Sequence, residues 1–234
     1  MKTLVVINTK GGVGKTTVTT NVASWFAGNG TPVAIMDYDP QGSSMHWLRQ
    51  RPATLNHIHG ANAAPQTKGL ASLERYVPPS IEQLIVDAPA GAPLLLQQDM
   101  LRTANRILIP VGPSAIDIHA TANFIKDLLL RGRIQQRGIQ LAVLANRVRD
   151  SRPTYEPLER FVQALGIPFL TRLRDSAVFV EAAETGIGIF EMDESASARE
   201  REDFMPVVDW VCGGAQASAA PTNVVALRKA IGLS

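Results

Sequence analysis

Five short apolar runs, separated by segments of helix length, constrain this chain more than any other feature. They are Thr3-Leu4-Val5-Val6-Ile7, ending at Asn8; Val33-Ala34-Ile35-Met36, ending at Asp37; Leu84-Ile85-Val86, ending at Asp87; Ile107-Leu108-Ile109, ending at Pro110; and Leu141-Ala142-Val143-Leu144, ending at Ala145-Asn146. Strands that are apolar on both faces belong in a parallel sheet covered on both sides. The expected fold class is α/β, a predominantly parallel twisted sheet flanked by helices on both faces. Helical patterns are expected from Lys15 to about Ala27 and near 94–104, 114–131, 154–165 and 195–211. In such sheets ligands bind beyond the carboxyl ends of the strands. That rule gathers Asn8 to Thr17, Asp37 to Gln41, Asp87 to Gly91, Pro110 to Pro113 and Asn146-Arg147 at one rim.

With 234 residues, 45% hydrophobic and 19% charged, the chain has the composition of an ordinary globular protein and not of a disordered or fibrous one. We divide it into one domain over 1–212, a linker over 213–222 (Gly-Gly-Ala-Gln-Ala-Ser-Ala-Ala-Pro-Thr) and a tail over 223–234. Cys212 is the single cysteine, which excludes an internal disulfide and any cysteine-ligated cluster and suits a reducing cytoplasm. No apolar run reaches the roughly 18 residues of a membrane span. The net charge of +2 does not argue for nucleic acid, but its distribution is uneven. Arg131 to Arg174 holds nine basic residues, all arginine, against three acidic ones, and Asp175 to Asp209 holds ten acidic residues against Arg199 and Arg201. Two readings stand: a solvated surface of mixed charge, or a basic face for a polyanion.

Lys10-Gly11-Gly12-Val13-Gly14-Lys15-Thr16-Thr17 lies between a predicted strand and a predicted helix, the context that defines a phosphate-binding loop. Glycines let backbone amides converge on one concavity, and the helix N-terminus adds positive potential. Lys15 can reach β and γ phosphates, and the Thr16 hydroxyl can ligate Mg²⁺. The usual pattern would place glycine at position 9, where this chain has Thr9, and specifies no lysine at position 10.

That departure resembles the deviant loop, KGGxGK[ST], of the ParA/MinD family of P-loop ATPases, and it matches at every position. Asp37-Tyr38-Asp39-Pro40-Gln41 is similar to the family's DxDPQ segment, and Leu84-Ile85-Val86-Asp87-Ala88-Pro89 to its strand ending in D-x-P. The resemblance covers roughly residues 1–210, closest to small ParA-type partition and cargo-positioning ATPases. It implies ATP and Mg²⁺ as ligands and a homodimer that sandwiches ATP, in which Lys10 reaches the partner's phosphates. It further implies that Lys15 holds the phosphates together with the loop amides of Gly11, Gly12, Val13 and Gly14, that Thr16 ligates the metal and that Thr17 donates to the α phosphate. Asp39 would position the attacking water, and Asp37 and Asp87 would lie near the metal; a loop-fixing role for Asp37 stays open. Asn146, with Arg147, falls where relatives hold the adenine, although a strand-end Asn also closes turns.

The stretch Phe179 to Gly188 is similar, loosely, to a late family segment beside the nucleotide and the DNA surface, with Val180 in place of its serine. Val178 stands where some relatives carry a DNA-contacting arginine, which leaves Arg172, Arg174, Arg199 and Arg201 as candidate DNA contacts. The implied activity is ATP hydrolysis by a cytoplasmic, nucleoid-associated protein. It would bind non-specific DNA and position a plasmid, a chromosome or a protein organelle such as a carboxysome through a ParB-like or cargo adaptor. Large plasmid partition ATPases begin with a DNA-binding extension, whereas the first strand is expected here from residue 3, so the resemblance implies a small ParA without autoregulatory operator binding. Two alternatives remain: a MinD-like membrane regulator using residues 223–234, and an ATP-dependent amide ligase of the cobyrinate type.

Overall fold

A computed structural model of the chain describes residues 1–65, 74–131, 134–149 and 155–214. The linker from Ala215 and the tail 223–234 lie outside the described residues. All five apolar runs form strands: β1 (Lys2–Val6), β2 (Val33–Asp37), β4 (Gln83–Asp87), β5 (Arg106–Val111) and β6 (Gln140–Val148). Two further strands, β3 (His59–Asn62) and β7 (Phe169–Arg174), complete a seven-stranded sheet in the order β3-β2-β4-β1-β5-β6-β7. Every described pairing is parallel.

The helices are α1 (Lys15–Gly28), α2 (Ser43–Gln50), α3 (Leu94–Arg102), α4 (Ala115–Arg131), α5 (Glu156–Ala164), α6 (Ala177–Thr185) and α7 (Glu194–Cys212). They cover both faces, and alternate strand residues feed the two cores because successive side chains point to opposite sides. Val5, Ile107, Ile109, Leu141 and Val143 pack under α3, α4 and α5 with Phe124, Ile125 and Leu158. Leu4, Val6, Ile35, Ile85, Leu108 and Leu144 pack under α1, α6 and α7 with Val18, Phe179, Phe204 and Trp210. Buried apolar side chains thus cover the central strands on both faces, and the carboxyl ends of those strands lie together at one rim. Among the described residues no helix is long and apolar enough to cross a membrane.

β5 and β6 run further than their apolar runs, so Pro110 and Asn146-Arg147 lie within strands. Pro110 pairs with Leu144 of β6, and its missing N–H is tolerated because β1 pairing has already ended at Leu108. Its free carbonyl accepts from the Asn8 side chain at 2.8 Å.

Candidate nucleotide site

The loop between β1 and α1 follows from its glycines. Gly14 is the residue before α1 and has φ +88°, and Gly12 has φ +74°, both in the left-handed region that side chains disfavour. A Cβ added at Gly12 would meet nothing within 4 Å, so it is backbone conformation that calls for glycine there. Lys15 opens α1 and is buried, and its Nζ donates to the Lys10 carbonyl at 3.0 Å. Burial pushes the Lys15 pKa down, against the opposing pull of Asp87 and Asp39. A desolvated ammonium whose hydrogen-bond partner is a neutral carbonyl is one that an anion would stabilise. Lys10 is half-buried on the opposite limb of the loop, with its N–H on Asn8 Oδ1 at 3.2 Å.

Opposite the loop, Asp37 and Asp87 are register partners at the ends of neighbouring β2 and β4, both buried. The Thr16 hydroxyl donates to Asp87 Oδ2 at 2.8 Å and the Ser44 hydroxyl to the same oxygen at 2.6 Å. Burial outweighs these donors and lifts the Asp87 pKa to about 7, with Asp37 adding to the rise. Asp37 is engaged in backbone contacts: Oδ1 accepts from the Asp39 N–H at 2.9 Å, and Oδ2 from the Ser44 and Met45 N–H groups at 3.1 and 3.2 Å. It thereby fixes the turn into α2, the loop-fixing arrangement left open by the sequence. Burial raises its pKa, against the pull of those amides. Asp39 is half-exposed beyond them, its Oδ1 accepting from the Gln41 backbone N–H at 3.0 Å.

On the α1 flank a cleft of about 520 Å³ is lined by Thr17, Asn146, Arg147, Arg174, Phe179 and Glu184. Arg147 is exposed there and is the one non-glycine among the described residues with positive φ, +56°. Asn146 turns the other way, burying its amide against the Val13 carbonyl at 2.9 Å.

The four arginines singled out for DNA are not equivalent. Arg172 pairs with Glu159 at 2.5 Å. Arg174 pairs with both oxygens of Asp203 at 2.6 and 2.9 Å. Arg201 donates to the carbonyls of Ile189 and Met192 and to the Ser197 hydroxyl. Arg199 is exposed on α7.

Two supporting residues, Ser44 and Asn21, escaped the sequence reading, and Asn8, placed by it at the rim, has a bracing role that it did not assign. Asn8 ties the loop to β5 and α4, donating to Pro110 O and Thr121 Oγ1 while accepting from Lys10. Ser44 bridges both carboxylates. Asn21 of α1 donates to Thr17 O and accepts from the Ile189 N–H, anchoring the helix to the short turn Ile189–Glu191. For Asn8 a signal was present, since it follows β1 directly at the rim. For Ser44 and Asn21 the contacts exist only once α2 and the 189–191 turn are packed.

A parallel sheet with a glycine-rich turn between β1 and α1, and with carboxylates on the neighbouring strand ends, defines a P-loop nucleotide-binding protein. Residues 4–189 match the CobQ/CobB/MinD/ParA nucleotide binding domain, and the chain belongs to that family. It is 28% identical over 196 residues to maintenance of carboxysome distribution protein A of Halothiobacillus neapolitanus, covering 81% of this chain and 87% of that protein. Among solved structures it is similar to the MinD cell division protein of Aquifex aeolicus, with TM-score 0.68 and 17% identity over 92% of this chain and 98% of that one. It is also similar to a Cyanothece McdA–ATP complex, with TM-score 0.66 and 16% identity over 92% and 98% of the two chains. At these identities the structural likeness concerns the fold.

The residues present fit a nucleotide with its magnesium. A buried lysine whose ammonium donates to a neutral carbonyl stands at a helix N-terminus, and a hydroxyl with two carboxylates supplies the hard oxygen donors that Mg²⁺ takes.

Proposed function

We propose that the chain is a ParA-type, Mg²⁺-dependent ATPase that dimerises on ATP, binds DNA without sequence preference and positions a cargo whose adaptor stimulates hydrolysis. The observation that carries this reading is the pair of lysines on one loop. Lys15 lies inside, where a chain's own phosphates would sit, whereas Lys10 lies on the outer limb with no salt bridge among the described residues. A cation supplied from a second subunit makes hydrolysis conditional on assembly. The same rim exposes Leu94 and Leu95 at the start of α3 and Ile116 at the start of α4, apolar side chains that a facing copy would cover. Similarity to a carboxysome distribution protein favours a protein organelle as cargo over a plasmid or chromosome.

Within that reading the loop amides and Lys15 bind the triphosphate, and Thr16 holds the metal with Asp87 and Asp37 behind it. Asp39, half-exposed, orients a water. Bound magnesium supplies neutralisation of the phosphate charge as it is redistributed. The cleft at Thr17, Arg147 and Phe179 takes the nucleoside. A MinD-like membrane role would need residues 223–234, which lie outside the described residues.

Lys10→Ala tests the reading directly: ATP binding is retained through Lys15, while adaptor- or DNA-stimulated turnover falls by about a thousandfold. Normal stimulated turnover in this variant rules out the sandwich. The DNA arm is sedimentation with non-specific duplex in ATP, ADP or no nucleotide, where ATP-selective binding that weakens with salt is expected.

A further inference from the structure

The cleft beside the phosphate loop has two helical walls. His46 and Gln50 of α2 form one, and Phe179, Ala183 and Glu184 of α6 the other. Trp47 and Phe179 belong to the apolar core beneath them. Both walls end at one place. Gln50 is the last residue of α2 and Arg51 follows it, while α6 stops at Thr185 and turns away through Gly186, whose φ is +69°. A Cβ on Gly186 would lie 2.5 Å from the Gln50 carbonyl carbon and from the Arg51 nitrogen, so the two helix ends meet with no room for a side chain between them.

Arg51 fastens that junction. Its guanidinium forms a bidentate pair with Glu191, Nη1 donating to Oε2 at 2.8 Å and Nη2 to Oε1, and the two side chains are only 6% and 7% exposed. Nη1 also donates to the Gly186 carbonyl at 3.4 Å, and Nε and Nη2 to the Asn56 carbonyl at 3.0 Å each. The guanidinium carbon lies 5.5 Å from the centroid of the Trp47 ring. Glu191 in turn accepts the Gly188 N–H on Oε2 at 2.8 Å. None of these partners belongs to the phosphate loop. Among the described residues, no other hydrogen bond or ion pair joins α2 to α6 or to the turn that follows α6.

Apolar side chains of the same volume would join the two helices about as firmly as a buried ion pair does. What the fork of a bidentate pair adds is a fixed distance and angle between the elements that carry it. Here those elements are the walls of the cleft, and Gln50 and Glu184 line it within one turn of the clamp.

We propose that Arg51 and Glu191 are positioning residues for the nucleoside: their ion pair sets the spacing of α2 and α6, and with it the affinity for base and ribose, without acting on the phosphates. This rests on the nucleotide-binding reading above, in which the cleft takes the nucleoside.

The test is calorimetric binding of Mg²⁺ with ADP and with inorganic pyrophosphate, which carries two phosphates and no nucleoside. ADP keeps assembly on ATP out of the measurement. Arg51→Lys retains the charge but not the fork, and it should weaken ADP by about tenfold while pyrophosphate stays within about twofold of the parent. Glu191→Gln is nearly isosteric and should weaken ADP by about threefold, again with pyrophosphate unmoved. Should either variant fail to fold, the double variant Arg51→Met/Glu191→Leu fills the same space with apolar side chains, and the loss specific to ADP should persist in it. A general loosening of the fold would not sort the two ligands in this way. Equal weakening of both ligands, or an unchanged ADP affinity in a folded variant, overturns the proposal and leaves the nucleotide-binding reading intact. A parent that binds pyrophosphate as tightly as ADP overturns the placement of the nucleoside in the cleft and the proposal with it, and a parent that binds neither overturns the nucleotide-binding reading as well.

Discussion

The strand ends of β2 and β4 and the edge strand β7 handle charge in opposite ways. Asp37 and Asp87 lie side by side with no salt bridge among the described residues, held by amides and hydroxyls, with the Lys15 ammonium acting on Asp87 as the smallest of the causes that shift it. On β7, Arg172 and Arg174 each face a carboxylate from a neighbouring helix, Glu159 of α5 and Asp203 of α7. Uncompensated negative potential in a buried spot is what a divalent cation requires. Arginines already matched by acids have given up most of the field that would draw a polyanion. Density of charge along the chain is therefore a poor guide to a ligand, whereas charge left without a counter-charge after folding is a good one.

The largest effect should come from removing the buried charge. An unfolded chain ionises an aspartate near pH 4, whereas burial lifts Asp87 to about 7 in the fold. Between those values the native state holds the extra proton, so ligand-free stability falls as pH rises through that window and levels off above it. Asp87→Asn keeps an acceptor for both hydroxyls and removes the Asp87 share of the slope, leaving the part that the raised Asp37 pKa contributes. At pH 8 without magnesium it should be more stable than the parent by on the order of 3 kcal/mol, while losing Mg²⁺-dependent nucleotide affinity. Denaturant unfolding at pH 5 and pH 8 checks this. A parent whose stability is unchanged across that range would mean that Asp87 is already ionised in the fold, with its two hydroxyl donors outweighing burial.

A smaller effect is expected on β7. The Arg174–Asp203 pair is bidentate, but the arginine side chain is 37% exposed, so water screens it and Arg174→Ala should cost only about 1 kcal/mol. Its DNA affinity should stay close to that of the parent. Arg199→Ala, on an exposed position of α7, should instead lower the slope of log affinity against log salt by about 1. Equal slopes for the two variants would break the contrast, because paired and unpaired arginines would then serve DNA alike.

What the sequence made legible follows the same division. Five strands and the phosphate loop could be read because both faces of those strands are buried, which leaves unbroken apolar runs, and because left-handed turns select glycine at Gly12 and Gly14. β3 and β7 escaped because each is an edge strand. His59-Gly60-Ala61-Asn62 has no apolar run, and Arg172 and Arg174 in β7 read as surface charge when the acids that meet them, Glu159 and Asp203, lie 13 and 29 residues away. The carboxylates Asp37 and Asp87 were placed correctly at strand ends. Their division of labour was not legible, since it depends on where α2 begins and on Ser44, whose N–H and hydroxyl serve one carboxylate each. The inward turn of Asn146 depends on the shift in β6–β7 register between Ala145 and Val148, which leaves no mark in composition.

The weakest contact sharpens the contrast from the other end. Arg149 Nε meets Asp175 Oδ2 at 2.6 Å, but the arginine side chain is 82% exposed. A short distance in solvent gains little, because the Coulomb term is screened and two side chains must be held in one geometry. A double-mutant cycle on Arg149→Ala and Asp175→Ala should return less than about 0.5 kcal/mol, vanishing in 1 M salt. Arg149 also lines the cleft beside Arg147, so its charge remains available to a phosphate even while paired. Arg149→Ala should then leave the melting temperature unchanged and still weaken the salt-dependent part of DNA or nucleotide binding. A coupling as large as that of Arg174 with Asp203 would show that proximity, and not burial, sets the strength of these pairs, and the distinction between the two edges of the sheet would fall with it.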